Sequence, residues 1–141
     1  MVDQKIVDEM KEMRKKGPSA PSDSLKLFEF VKQLAEESED LKEELEDMDA
    51  TVVQLIVTDA NYKYWVKMGD GTVDYGEGEG ENPSVTMSAT GATWTGMSSG
   101  EIESTSAYMS GDLVIDGNLQ DAIAFGEIQS IAMEEGAHYF E

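Results

Sequence analysis

Between Asp47 and Thr51 the spacing of apolar residues changes from three-and-four to two. Upstream, Leu27, Phe30 or Val31, Leu34, Leu41, Leu45 and Met48 recur at helical intervals, with Glu and Lys between them. Downstream, Val53, Leu55 and Val57 mark one face of an extended run over Thr51–Thr58. Tyr62, Tyr64, Val66 and Met68 then alternate with Lys63, Trp65 and Lys67. A helix brings every third or fourth residue to one face and a strand every second, so the change marks a helix–sheet boundary. Both elements have one apolar side, and packing those sides together requires a layered fold of helix on sheet.

The remaining elements follow by the same reading. Val2, Ile6, Val7, Met10 and Met13 predict a first amphipathic helix, which Gly17-Pro18 stops. Residues 1–21 are read as this helix and its linker, and 22–141 as the main domain. Ser22, Asp23 and Ser24 are N-cap candidates for a second helix running to about Asp47. Asp59-Ala60-Asn61 and Asp70-Gly71 are turn signals, the second leading into a strand with Val73 and Tyr75 inward. Gly76 to Asn82, reading GEGEGEN, is expected to be a flexible hairpin connection before a strand carrying Val85 and Met87. Short helices are expected over Thr90–Ser99 and Ser104–Met109, a last strand over Gly111–Gly117, and a terminal helix from Leu119 to about Glu135, capped by Asn118. The fold class is α+β: four meandering strands and a fifth, in an antiparallel-rich sheet covered on one face by helices.

Composition removes many functions. The 141 residues suit a single core, since two would each be marginal. A formal charge of −20 repels nucleic acid and anionic membranes. Neither a run of about 18 apolar residues nor a secretory h-region is present, so a cytoplasmic protein is expected. With no cysteine, thiolate chemistry is absent, and with His138 as the single histidine, zinc lacks ligands. His138 also lies at a terminus where fraying disfavours catalysis. Glu77, Glu79 and Glu81 lack the ligand spacing of a calcium loop, and their Gly-x-Gly-x-Gly does not open a helix as a nucleotide site would. No carboxylate pair stands out for acid–base work. The expectation is a non-enzyme without metal or cofactor.

The run Tyr108-Met109-Ser110-Gly111-Asp112-Leu113-Val114-Ile115-Asp116-Gly117-Asn118-Leu119 resembles the signature segment of sterol-carrier-protein type-2 domains. There an apolar pair, a Gly, an alternating strand and a second Gly lead into a ligand-covering helix. Asn82 to Ser88 and the Gly-marked turn Met97 to Glu101 are similar to the family's preceding segments, so the resemblance spans about Leu25 to Glu135. It implies an apolar tunnel under the C-terminal helix that takes a fatty acid, an acyl-CoA or a sterol-like molecule. The chain departs from the family in its acidity, in Gly126 where a Gln is frequent, and in lacking a Ser-Lys-Leu-type C-terminal address.

On that resemblance the ligand-binding residues are Trp94, Met97, Ile102, Tyr108, Met109, Leu113, Leu119, Ile123, Phe125 and Ile128. Read without it, the same side chains serve equally as ordinary core. A lipid needs few polar anchors, because each buried methylene contributes about 0.8 kcal/mol. The expected partner is therefore a lipid-like small molecule, without stable membrane association. A second reading is an accessory module. Residues 1–16 hold five basic and four acidic side chains, and 22–50 hold three basic and eleven acidic. The first helix then suits a homodimer or an enzyme partner, and the acidic run is a solvated face or a surface for a basic protein.

Overall fold

The computed structural model describes residues 2–16, 24–99 and 101–140. In chain order these form α1 (Gln4–Lys16), α2 (Ser24–Glu37), α3 (Glu39–Glu46), β1 (Thr51–Val57), β2 (Tyr62–Gly69), β3 (Thr72–Glu77), β4 (Val85–Ala89), α4 (Gly91–Ser99), α5 (Ser104–Ser110), β5 (Val114–Gly117) and α6 (Leu119–Glu135), with a final 3-10 turn over Ala137–Phe140. Residues 17–23 of the expected linker, with Ser22 and Asp23, lie outside the described residues, as do Gly100 and the Met13 side chain. The architecture is α+β, with helices packed on one face of a five-stranded sheet.

The single helix expected from Ser22 to Asp47 is two helices, because Ser38 breaks it. Ser38 is extended (φ −87, ψ 118), and its Oγ accepts a hydrogen bond from the Leu41 N–H, which caps α3. The apolar stripe skips from Leu34 to Leu41, so nothing at position 38 rewards an unbroken helix. Leu41 and Leu45 are fully buried below the break.

Strand order is β3-β2-β1-β4-β5. β1, β2 and β3 form the expected antiparallel meander, with Val53 opposite Val66 and Met68 opposite Val73. β4 does not continue it. It crosses to the far side of β1 and pairs parallel, Val53 beside Val85 and Leu55 beside Met87, so the sheet is mixed. Period two fixes which face a residue occupies, and leaves the neighbouring strand undetermined. The inward row Val53, Leu55, Tyr64, Val66, Met68, Val73, Val85 and Met87 is buried under the helices.

The GEGEGEN segment is therefore a crossover, not a hairpin connection, and it is pinned to the outer sheet face. Gln54 Nε2 donates to the carbonyls of Tyr64 (2.9 Å) and Gly78 (3.0 Å), and the Gly80 N–H donates to Gln54 Oε1 (2.7 Å). Two glycines let the chain lie flat on Trp65. A Cβ at Gly76 would stand 2.5 Å from the Trp65 ring, and one at Gly80 2.8 Å from the Trp65 and Val52 side chains.

The apolar stripe of α1 is satisfied within the chain. Val2, Ile6, Val7 and Met10 are buried in the common core, with α1 packed on α2 and the C-terminal turn. At the other end, β5 is shorter than the expected Gly111–Gly117. Gly111 adopts φ 88 as the left-handed stop of α5, so extended pairing begins only at Val114.

Candidate functional site

The family-like segment ends in α6, and the layer beneath that helix is the candidate site. Asn118 caps α6, its side chain accepting from the Asp121 N–H at 3.2 Å. From there Ala122, Phe125, Ile128 and Ala132 descend one face at three- and four-residue spacing and are buried. Phe125 stacks on Phe28 of α2 with ring centroids 5.8 Å apart, and Phe28 meets Tyr64 of β2 at 6.0 Å. These aromatics close the layer between α2, α6 and the sheet.

Within it Phe28, Val31, Val66, Met68, Val73, Phe125, Ile128 and Gln129 surround a void of ≈ 10 Å³. That is about the room of one water, so a tunnel wide enough for a lipid is not open at this point. Gln129 supplies the one polar side chain of the lining.

Of the ten residues expected to bind ligand, Phe125 and Ile128 border this void, and Leu113 is buried elsewhere in the core. Trp94, Met97 and Ile102 are half-buried and packed against the same core. Trp94 is further fixed by its indole N–H, which donates to the Ile56 carbonyl at 3.0 Å. Tyr108, Met109, Leu119 and Ile123 stand at the surface, Met109 at 81% exposure and Ile123 at 55%. In α5 the residue turned inward is Ala107, which leaves Tyr108 and Met109 facing out. In α6 the inward face starts from Ala122, and Leu119 and Ile123 flank it. Phe28, Val31, Val66, Met68, Val73 and Gln129 were not among the expected ligand residues. The inward alternation on β2 and β3 did mark Val66, Met68 and Val73 as core.

The charged features lie elsewhere. A surface groove of ≈ 360 Å³ is lined by Leu34, Glu37, Ser38, Glu39, Asp40, Glu135 and His138. There a hydrogen bond that the protonated Glu135 carboxyl donates to Asp40, then burial and repulsion, raises Glu135 above the ordinary carboxylate range. The lining is acidic and suits no apolar tail. Among the described residues no cluster of His, Asp or Glu is placed to hold a metal ion, and no helix is long and apolar enough to cross a membrane. Glu77 accepts from the Tyr62 hydroxyl and Glu79 pairs with Lys63 at 3.2 Å, so these two crossover carboxylates are engaged separately.

Residues 31–130 match the model of the SCP-2 sterol transfer family. Among solved structures, a protein described as "UbiJ-SCP2 Ubiquinone synthesis protein" is similar at a TM-score of 0.66 and 16% identity, over 79% of this chain and 96% of that one. The apo form of sterol carrier protein 2 from Yarrowia lipolytica is similar at 0.57 and 17% identity, over 75% and 88%. A crystal structure of sterol carrier protein 2 gives 0.56 and 22% identity, over 75% and 92%. These identities establish a common fold. No curated protein matches the sequence.

Proposed function

The chain belongs to the SCP-2 sterol transfer family, and from that membership we propose that it binds a lipid-like apolar molecule between α2, the sheet and α6. The observation that carries the reading is the largely apolar void at this junction, whose lining residues apart from Phe28 fall within the family-matched residues. Phe125 and Ile128 form its α6 wall, and Phe28 and Val31 its α2 wall. Leu113, Trp94, Met97 and Ile102, in or against the same core, extend the proposed site toward α4 and α5. The reading is of binding without a reaction.

Ligand pockets usually hold about 300–1,000 Å³, so α6 must move to admit a lipid. A sixteen-carbon tail gains on the order of 10 kcal/mol gross on burial, from which that opening is drawn. Two properties of α6 suit such movement. Leu119, Ile123 and Met133 give it apolar side chains on the outward side as well as the inner one. Gly126 sits mid-helix with nothing within 4 Å of the place a Cβ would take.

Native mass spectrometry with palmitic acid tests the reading. A one-to-one complex is expected, with greater uptake by Ile128→Ala, which enlarges the void. Failure of both the parent chain and the folded variant to take up palmitic acid up to its solubility limit would overturn it.

A further inference from the structure

The two edges of the sheet are treated differently. α2 runs along β3 and bonds to it through two side-chain pairs: Lys32 pairs with Asp74 at 3.5 Å, and Tyr75 donates to Glu29. β5 closes the other edge and is paired only with β4. The Asn118 N–H donates to the Ser84 carbonyl, so the 84–118 pair is a hydrogen-bonded one. By antiparallel alternation Val114 and Asp116 point their backbone groups at β4, while Ile115 and Gly117 point theirs outward. No partner from the described chain meets those outward groups.

Exposed apolar residues are concentrated in the chain on either side of this edge strand. Six large hydrophobic residues are exposed among the described residues, and five of them, Tyr108, Met109, Val114, Leu119 and Ile123, fall within a single short stretch around β5. Exposed apolar residues are ordinary when scattered, whereas a concentration beside an unpaired edge marks a contact surface. Acidic side chains are interleaved with it: Asp112 and Asp116 are exposed in the same stretch, with Glu103 before and Glu127 after.

We propose that the β5 edge docks an extended segment of a partner protein carrying alternate basic and apolar side chains, which joins the sheet as an added strand. The backbone groups of Ile115 and Gly117 supply the ladder, Val114 and the flanking apolar residues supply contact area, and Asp116 selects a Lys or Arg opposite it. Charge decides the occupant. A second copy related by a two-fold axis would set the same acidic edge against itself, in a chain already at −20. An anionic lipid surface is repelled in the same way.

The test uses the full chain and a synthetic peptide of alternating lysine and valine, read by amide NMR and hydrogen exchange. Slower exchange at Ile115 and Gly117 is expected, with shifts confined to the β5 region. Asp116→Lys should weaken binding about tenfold. Ile115→Pro removes an outward N–H without breaking a β4 bond, and should abolish the protection. Equal binding of an alternating glutamate–valine peptide, or peptide shifts outside the β5 region, would overturn the proposal. Protection of the same amides by raised protein concentration alone would assign the edge to a second copy, and protection by phosphatidylcholine vesicles to lipid; either outcome overturns it too. None of these readouts depends on palmitic acid uptake, so this proposal and the ligand reading fail separately.

Discussion

Gln54 sits mid-strand on the sheet face turned away from the helices, yet it is only 5% exposed because the crossover covers it. Its amide makes three hydrogen bonds that a hydrocarbon cannot replace. Gln54→Leu keeps the volume but takes a donor from two carbonyls and the acceptor from the Gly80 N–H. A loss of about 1–3 kcal/mol is expected in urea denaturation, with faster proteolytic cleavage between residues 77 and 82. The tyrosines show a second residue-level device. With carboxylates in excess, Tyr62, Tyr75 and Tyr139 donate to Glu77, Glu29 and Glu37, a task lysine or arginine would otherwise share. Burial, then the bond to Glu29 and its charge, pushes the Tyr75 phenol up to about 12 from an ordinary 10.0. The folded chain thus favours the neutral phenol. Its contribution is complete below pH 10 and is lost as pH climbs through 12. Stability measured across that window should fall, and Tyr75→Phe should flatten part of the fall; an unchanged slope would remove Tyr75 as a source.

At the scale of elements, α6 is a good helix with one soft place. A glycine in a helix interior costs roughly 0.5–1 kcal/mol relative to alanine, and Gly126 has open space where a methyl would go. Gly126→Ala is expected to raise unfolding stability by about that amount in thermal or urea denaturation. If movement of α6 admits the ligand, the same variant slows palmitic acid uptake. Most elements were legible in the sequence because each has a periodic face, as the strands β1 and β2 and the helix α1 show. The exceptions have local causes. Ser38 breaks a pattern whose heptad spacing continues straight through it, and Gln54 reads as an ordinary outward polar residue until the crossover is seen lying on it. Tyr108 and Met109 look like core by composition, but α5 is so short that Ala107 alone turns inward.

For the whole molecule, the layered α+β fold was legible, and the arrangement of strands was not. Alternation in β4 assigns Val85 and Met87 to the inner face equally well beside β3 or beside β1. The candidate site was legible at Phe125 and Ile128. On the α2 side Val31 was on the apolar stripe, but Phe28 escaped, because it lies just off the stripe drawn through Leu27 and Phe30 or Val31. Among the described residues the surplus negative charge has no focus in a metal cluster; it is spread over exposed helix faces, the groove between α3 and the end of α6, and the bare sheet edge.

The parallel pairing of β1 with β4 also orders the assembly of the fold. The three meander strands meet through tight turns, whereas Val53 must find Val85 about thirty residues along the chain. Closing that span loses chain entropy before any contact repays it. The meander is thus the fast-forming half, and the slow half is the run from β4 to α6, which brings both the lid of the proposed lipid site and the open edge. A newly made chain exposes the part of the inner sheet face that α6 covers until that second half docks, so the interval before docking is when it is most prone to aggregate.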